Sequence, residues 1–415
     1  MRSRVPGRAA LLGLGVVFAV LTGCSSSKPP SPSPGPGTVP ASPTPPAVAT
    51  PNPLEGLEAE ASLVELEDRR AFDEAALRAF CSGPDATRAR AALAMGRIGD
   101  ARAAALLRPL LRDPVPAVRA AAVFASGLLT EAGMTADLVP LLGDADPRVA
   151  AAAARAVGFL ARPEGEQALI AAIPGAGSPE VRAALLEALW RFSNAASEAA
   201  LLPFAADRDA KVRAAAVYAL ARKPQPGSLD ALTAALSDEN PDTAAISARA
   251  LGVLGTGDSA APLAAALDGR SPVVVNALVA LEGVFEKTPA ARIAEERRQR
   301  VLALAGDANT NVAVPALVLL RQFAAADREI SRRLWSIALS GEGRRRQIAL
   351  QSVVAAFRAG ALSALDSAAA SGDPFLRAAA ADALSFLATP DARAYRDRFA
   401  SDREVVVRLA NIDSL

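Results

Sequence analysis

Apolar and polar positions repeat along most of this 415-residue chain with a period near 31 residues. The stretch 113–127 serves as the template, and its Arg119 is taken as the anchor of the repeat. Ten spacings separate the eleven anchors; most are 31 residues and one is 38. The anchors are Arg88, Arg119, Ala150, Arg182, Arg213, Ala244, Val275 (which could shift by one residue), Ala313, Arg346, Arg377 and Arg408. A fixed period of about 20–50 residues is typical of solenoids and other repeat arrays.

Each unit of the pattern predicts two helices. A short amphipathic stretch, such as 135–142 or 228–236, forms the first helix. A turn with Asp and Pro, as at 144–147, then ends that helix and starts the next. The second helix starts at the anchor and carries mostly apolar residues at positions −1, +4 and +7, which is a helical spacing. The pattern therefore predicts an all-α fold, an α-solenoid of about eleven two-helix repeats over residues 54–415.

Two details of the repeat predict how its helices pack. Position +6 is small in seven units: Ala94, Ala125, Ala156, Ala188, Ala219, Ala250 and Ala383. A small side chain there lets neighbouring helices approach closely. The 38-residue spacing predicts about seven extra residues in a longer helix near 290–305.

Composition agrees with a helical array and excludes several classes of protein. Ala accounts for 100 of the 415 residues and aromatic residues for only 4%. Ala is the strongest helix former and adds little core volume, so many thin helices are expected. Net charge is +1, which argues against a nucleic-acid binder. His is absent, so an imidazole base or a zinc site built on His is excluded.

The Asp-x-x-x-x-Val-Arg core of the template resembles the HEAT repeat, in the short bacterial form first noted in phycobilisome lyases. Three units match this core fully: Asp113 with Arg119, Asp207 with Arg213, and Asp402 with Arg408. The resemblance covers about residues 72–415. It implies that these Asp and Arg residues pair within and between repeats as a structural ladder rather than a functional site.

The first 23 residues have the pattern of a targeting segment. Arg2, Arg4 and Arg8 precede an uncharged apolar run that is too short to span a bilayer comfortably. The run ends in Leu-Thr-Gly-Cys at 21–24, which resembles the lipobox of bacterial lipoproteins. The resemblance implies that residues 1–23 are a signal peptide, that cleavage precedes Cys24, and that Cys24 carries the lipid. The other interpretation is an ordinary secretory signal in which the Cys is incidental.

The following segment, 24–53, predicts a tether rather than a folded part. Residues 25–53 contain 11 Pro among Ser, Thr, Gly and Ala, with almost no large apolar side chain. Such a stretch cannot bury a core and is typical of a disordered, semi-extended linker. With Ser25 after the lipidated Cys, the lipoprotein resemblance implies an envelope location, at the outer membrane and facing the periplasm.

No pattern of catalytic residues stands out in the sequence. The chain lacks Cys-x-x-Cys, a phosphate-cradling Gly-rich loop and Gly-x-Ser-x-Gly. Cys81 lies in a helical context, where a lone Cys is most often a small buried apolar residue. We therefore expect no enzyme activity, cofactor, metal or small-molecule substrate.

Position +5 of the second helix varies as core positions do not. It holds Phe124, Arg155, Glu187, Tyr218 and Arg249 in successive units, and Trp190 lies close by at +8. Aromatic residues and Arg are the usual anchors of protein interfaces. This row predicts a partner-binding face. The competing interpretation is a set of ordinary exposed residues with buried stems.

Together these patterns predict a lipid-anchored scaffold that binds protein partners of unknown identity and reaches the membrane through its N-terminal lipid. A second hypothesis makes the array the docking part of a longer envelope enzyme, for example one with a peptidyl-prolyl isomerase domain. That hypothesis depends on the last anchor, Arg408, which only seven residues follow, without a polar cap. A third, bilin-lyase activity, is disfavoured by the lipobox.

Overall fold

The computed structural model describes residues 53–131, 133–387 and 391–414, and the regular structure of these ranges is helical. The α-helices are α1 Pro53–Asp68, α2 Glu74–Phe80, α3 Asp85–Ile98, α4 Ala103–Leu110, α5 Pro116–Leu129, α6 Met134–Leu138, α7 Pro147–Leu160, α8 Pro163–Ala172, α9 Pro179–Ala188, α10 Ala195–Leu201, α11 Ala210–Arg222, α12 Leu229–Ala235, α13 Pro241–Leu254, α14 Ala260–Ala265, α15 Ser271–Lys287, α16 Glu295–Leu304, α17 Thr310–Ala324, α18 Arg328–Ser340, α19 Gly343–Phe357, α20 Leu362–Ala369, α21 Pro374–Ala383, α22 Asp391–Ala400 and α23 Val405–Asp413. Short 3₁₀ segments are Val139–Gly143, Ile173–Gly175, Leu189–Arg191, Leu202–Phe204, Pro226–Ser228, Gly257–Ser259, Ala266–Asp268, Arg358–Ala361 and Leu384–Phe386. The signal peptide predicted for 1–23, Cys24 and nearly all of the predicted linker lie outside the described residues.

Helices alternate between two layers from α2 onward. Each even-numbered helix packs on the odd-numbered helix that follows it, and successive odd-numbered helices stack on one another. Over the described residues this gives eleven helix pairs, α2–α3 to α22–α23. The predicted all-α solenoid of about eleven two-helix repeats is confirmed. In the described ranges, no helix has the length and apolar character needed to cross a membrane.

The second helix of each repeat starts earlier than the sequence pattern predicts. Helix α5 begins at Pro116, three residues before Arg119, and the same offset recurs in the other repeats. The predicted start at the anchor itself is therefore wrong by about one turn. Helix α15 begins at Ser271, so the same offset puts its anchor at Val274 rather than Val275.

The turn before α7 is made by its Asp and Pro residues, as the sequence predicts for 144–147. Pro147 is the first residue of α7, where its missing N–H is not needed. Asp146 is the N-cap and accepts a hydrogen bond from the Arg148 main-chain N–H. Asp144 accepts one from the Asp146 main-chain N–H at 2.8 Å. The two carboxylates together satisfy the polar main chain where one helix gives way to the next.

The Asp and Arg residues of the repeat form a ladder whose side chains pair between repeats. Within a repeat, Arg119 does not bond the Asp113 carboxylate but donates to the Asp113 main-chain carbonyl at 2.8 Å. Its carboxylate partner is Asp144, one repeat further on. The ion pairs with this spacing in the described residues are Arg88–Asp113 at 2.7 Å, Arg119–Asp144 at 2.8 Å, Arg213–Asp238 at 2.6 Å and Arg377–Asp402 at 2.8 Å. Arg346 pairs with Asp373, two residues further into the turn of the next repeat, at 3.6 Å.

Two members of the predicted ladder have no carboxylate–guanidinium partner in the described part of the chain. The Asp207 carboxylate accepts from the Asp209 main-chain N–H at 2.8 Å. Arg408 donates to the main-chain carbonyl of Asp402 at 2.6 Å. These residues therefore organise the turn of their own repeat without joining it to the next.

Neighbouring second helices touch through small residues. Gly158 of α7 faces Ala188 of α9 so closely that an added Cβ would lie 2.7 Å from the Ala188 Cβ. Gly252 of α13 faces Ala280 of α15 in the same way, at 2.7 Å. The Ala residue is at position +6 in each case, so the predicted close approach at +6 is present, and Gly at +8 of the preceding repeat is its counterpart.

The longest spacing between anchors is accommodated differently from the prediction. Helix α15 is 17 residues long and is followed by a non-helical connection at 288–294. Helix α16 has only 10 residues. The predicted long helix near 290–305 is therefore wrong, because the extra residues lie in α15 and in the connection.

In the last described helix of the array, α23, the apolar side chains of Leu409 and Ile412 are exposed.

Candidate functional site

The residues at position +5 all lie on the outer side of the second-helix layer. Phe124 is 54% exposed. Arg155, Glu187 and Arg249 are exposed and Tyr218 is half-buried. The residues at −1, +4 and +7 of the same helices are buried, as shown for α5 by Val118, Val123 and Ser126. Position +5 is far from these positions around a helix of 3.6 residues per turn, so its side chains leave the core.

Position +9 extends the same surface by one helical turn, and sequence reasoning missed it. Residues four apart lie on one side of a helix, so +9 is next to +5. The side chains at +9 are Leu128, Phe159, Arg191, Arg222 and Val253, all exposed. The second-helix face is the set of +5 and +9 residues on α5, α7, α9, α11 and α13, together with Trp190. Arg191 lies in the 3₁₀ segment that directly follows α9.

A cleft of about 340 Å³ opens on this face between α5 and α7. Its floor consists of small residues, because Gly127 and Ala156 meet where the two helices touch. Its walls are Phe124 and Leu128 on α5 and Arg155 and Phe159 on α7. Two of the predicted residues, Phe124 and Arg155, therefore line one cleft, with Phe159 47% exposed at its edge.

Aromatic rings and guanidinium groups alternate across the next repeats. The Arg191 guanidinium lies 4.9 Å from the Phe159 ring centre and 4.3 Å from the Trp190 ring centre. The Arg222 guanidinium lies 4.6 Å from Trp190 and 5.9 Å from Tyr218. These distances are those of cation–π contacts. We name Phe159, Arg191, Trp190, Arg222 and Tyr218 the aromatic–arginine stack. Trp190 and Tyr218, which the sequence places on the predicted partner-binding face, both belong to this stack.

The local sequence explains why Trp190 reaches this surface. Position +8, which holds Gly158 in α7 and Gly252 in α13, packs against the next second helix. A Trp side chain cannot fit where an added Cβ already meets the neighbour. In this repeat α9 ends at Ala188 and the chain continues as the 3₁₀ segment Leu189–Arg191. The change in winding directs Trp190 and Arg191 into the stack.

The next feature is the pairing of the charged side chains on the second-helix face. The side chains of Arg155, Arg191, Arg222 and Arg249 have no hydrogen-bond acceptor and no carboxylate partner among the described residues. Glu187 also has no ion-pair partner in the described ranges, and the structure does not bring it or Arg249 into a contact with the other predicted residues. The face therefore carries four unpaired cations and one unpaired anion.

Two further kinds of reactive group can be examined in the described part of the chain, the thiol of Cys81 and clusters of possible metal ligands. Burial raises the pKa of the Cys81 thiol to about 11, although Arg78 acts in the opposite direction. The thiol is therefore protonated near neutral pH and a weak nucleophile. No group of three or more Cys, Asp or Glu residues in the described ranges is placed to hold a metal ion.

Comparisons with known proteins agree with the architecture. A family model for HEAT repeats matches residues 59–127, 74–142, 135–207 and 198–282, which together cover more than half of the chain. No curated protein matches the sequence.

Two solved structures match this chain in part. The crystal structure of an engineered protein is 18% identical, covers 81% of this chain and 97% of its own, and has a TM-score of 0.50. The complex of CpcE and CpcF of phycocyanin lyase from a Nostoc species is 20% identical, covers 63% of this chain and 98% of its own, and has a TM-score of 0.37. The first likeness concerns the fold alone. The family model matches most of the first seven helix pairs, α2–α3 to α14–α15. This chain therefore belongs to the HEAT repeat family.

Proposed function

We propose that this protein is a lipid-anchored scaffold of the bacterial cell envelope that captures protein partners on its second-helix face. A HEAT-repeat array is a fold that mediates protein–protein interaction in general, and this chain supplies a surface rather than chemistry of its own. The observation that carries the proposal is the apolar cleft between α5 and α7, which adjoins the aromatic–arginine stack at Phe159. Exposed aromatic residues and Arg beside an apolar cleft have the composition of interface anchors.

Two exposed Phe positions of the array can be compared directly in cells. We would place a photo-crosslinking phenylalanine analogue at position 124, in the cleft, and separately at 375. Phe375 is a matched control, since it is also a Phe on a second helix and is 72% exposed. We expect a specific cross-linked protein from position 124 and not from 375. Absence of any cross-linked protein at 124 would contradict capture on this face.

Removal of side chains tests whether capture depends on them. The triple variant Phe124→Ala, Arg155→Ala, Tyr218→Ala is expected to lose the cross-linked partner while its thermal unfolding stays nearly unchanged. The reason is that these side chains are exposed or half-buried, and exposed substitutions usually change stability by less than about 0.5 kcal/mol each. Phe375→Ala is the control. Unimpaired capture by the triple variant would overturn the assignment of the face.

The lipid anchor is supported by the sequence at 21–24 and by the Pro-rich segment that follows it. The test is the intact mass of the protein isolated from its native membrane. We expect a mass that starts at Cys24 and includes acyl chains, and a Cys24→Ala variant that is not acylated. Retention of residues 1–23, or a mass without acyl groups, would contradict the anchor.

A further inference from the structure

The guanidinium groups of the aromatic–arginine stack are held in place with their hydrogen-bond donors unused. Arg191 contacts the rings of Phe159 and Trp190, and Arg222 contacts those of Trp190 and Tyr218. Stacking on rings uses the flat face of a guanidinium and leaves its N–H edge open. No described residue accepts a hydrogen bond from either side chain. Two planar donors are therefore pre-oriented at the surface, which lowers the entropic cost of binding an acceptor.

Charge on this face differs from charge along the ladder. Arg side chains of the ladder, such as Arg119 and Arg213, are matched by carboxylates at 2.8 Å and 2.6 Å. On the second-helix face, the Arg residues at +5 and +9 have no such partner. They are Arg155, Arg191, Arg222 and Arg249, against the single acid Glu187. The charge complement of this face is therefore a ligand that carries several carboxylates.

The rings themselves favour a peptide over a nucleobase or a sugar. A stacking ligand needs an open ring surface. Trp190 is half-buried and already has two guanidinium groups within 4.6 Å of its ring centre. The part of the stack that can still bind a ligand is thus the N–H edge of each guanidinium. This edge suits carboxylates, which accept paired, charge-assisted hydrogen bonds.

The cleft next to the stack supplies an apolar contact. Phe159 belongs to both, so one ligand can lie across α7 and α9 and reach them together. The cleft measures about 340 Å³ and is lined by Phe124, Leu128 and Phe159. It suits one large apolar side chain.

We propose that the partner segment bound by the second-helix face is an acidic peptide with one apolar anchor residue. Its apolar side chain fills the cleft between α5 and α7, and its carboxylates bond the N–H edges of Arg191 and Arg222, with Arg155 and Arg249 at either side. This inference rests on the proposed function, because it assumes that the face binds protein.

The test uses the full-length protein in detergent and four fluorescein-labelled twelve-residue peptides. The first carries Glu on both sides of a central Phe. In the second, Gln replaces every Glu; in the third, Lys does; in the fourth, Ala replaces the Phe. We expect anisotropy to show binding of the acidic peptide, weakened by added salt. We expect binding at least about tenfold weaker for the Gln and Ala peptides, and none for the Lys peptide.

Paired variants locate the site. Arg191→Gln with Arg222→Gln should weaken binding of the acidic peptide at least about tenfold. Arg112→Gln with Arg208→Gln is the control, since both are exposed Arg residues in turns with no ion-pair partner among the described residues, and it should change binding less than about twofold. Arg191→Lys with Arg222→Lys, which keeps the charge but loses the planar fork, should have an intermediate effect. Circular dichroism checks that each variant is folded.

The results that would contradict the acidic partner can be told apart from one another. Equal binding of the Glu and Gln peptides would overturn the acidic partner. So would absence of binding by the acidic peptide, or an unchanged affinity in the Arg191 and Arg222 variant. A labelled oligo(dT) that binds more tightly than the acidic peptide, and is lost in the same variant, would overturn it in favour of nucleic acid. Cross-linking at position 124 reports separately on the proposed function, which survives if a partner is captured and the acidic peptide fails.

Discussion

The guanidinium of Arg119 bonds both carboxylate oxygens of Asp144, each at 2.8 Å, across the boundary between two repeats. Its remaining nitrogen donates to the Asp113 main-chain carbonyl at 2.8 Å. The Arg119 and Asp144 side chains are only 15% and 6% exposed. Because one guanidinium holds the turn of its own repeat and the turn of the next, it fixes how adjacent repeats stack.

Replacement of Asp144 by Ala should destabilise the array by about 2–3 kcal/mol. Arg119 would remain largely buried without its carboxylate, and the Asp146 main-chain N–H would lose an acceptor. Urea unfolding followed by circular dichroism measures the loss. Asp207→Ala is the matched control, because in the described part of the chain Asp207 bonds the N–H of Asp209 but no guanidinium, and about 1 kcal/mol is expected there. Equal losses would show that the pair between repeats adds nothing.

The ladder also predicts how stability depends on pH. Hydrogen bonds from Arg88, Arg119 and Arg377 hold the pKa values of Asp113, Asp144 and Asp402 below the usual range. A lowered pKa in the folded state means that the unfolded chain binds protons more readily. The stabilisation is therefore complete above the unfolded pKa of about 4 and is lost as pH falls through the folded values.

Thermal unfolding between pH 6 and pH 2.5 tests this dependence. Tm should fall steeply below pH 4. In an Asp144→Asn variant, which has no carboxyl group to titrate at this position, Tm should be lower at pH 6 and should decline less on acidification. A Tm that does not change below pH 4, or an equal decline in the variant, would contradict the ladder's role.

The repeat architecture could be predicted because its determinants are local. The anchor spacing, the buried positions −1, +4 and +7, and the turn at 144–147 each depend on a few neighbouring residues. Position +5 could be predicted to be exposed for the same reason. The helix start was predicted three residues too late because it was placed at the Arg. The Pro at the first helical turn and the capping residue before it are the better signals, and the sequence contains them.

Which side chains pair across a repeat boundary was beyond the sequence pattern, although the close approach of neighbouring helices at +6 was not. Asp113 and Arg119 are close in sequence, but the Arg side chain reaches the main chain there and finds its carboxylate in the next repeat. The stack depends on the 3₁₀ segment at Leu189–Arg191. A similar segment, Leu384–Phe386, carries the small Ser385 at the same position, so the residue type at +8 does not predict this change of winding. The sequence did contain a signal for Phe159 and Arg191, since they lie four residues after Arg155 and Glu187 on the same side of their helices. The row is hard to recognise because its residue type changes between apolar, aromatic and basic from one repeat to the next.

The close contact between Gly158 and Ala188 predicts that an added methyl group separates two repeats. In Gly158→Ala the new Cβ would lie 2.7 Å from the Ala188 Cβ and 3.0 Å from its carbonyl oxygen. Backbone atoms cannot yield easily, so α7 and α9 must move apart at a cost of about 1–3 kcal/mol. Gly143→Ala is the control, because an added Cβ there meets nothing within 4 Å. Urea unfolding should show a loss for the first variant and little change for the second; a stabilised Gly158→Ala would contradict the close packing.

Glu282, between α15 and α17, predicts a pH dependence of the opposite sign. Arg321 and Gln322 donate to one of its carboxylate oxygens, and the other is buried with no hydrogen-bond partner in the described residues. Burial raises the pKa of Glu282 even though Arg321 acts to lower it. A raised folded pKa gives stabilisation that is present below the unfolded pKa of about 4.3 and is lost as pH rises through the folded value.

Removal of Arg321 should therefore be more harmful at high pH. Without the cation, ionised Glu282 is buried and uncompensated, so Arg321→Ala should cost about 2–4 kcal/mol at pH 8 and clearly less at pH 5, where the carboxyl group takes up a proton more easily. Urea unfolding at the two pH values measures the difference. The double variant Arg321→Ala, Glu282→Gln should recover most of the loss at pH 8, since a neutral amide needs no cation. The same loss at both pH values, or no recovery in the double variant, would mean that the Arg321 side chain stabilises the array by packing rather than by its charge.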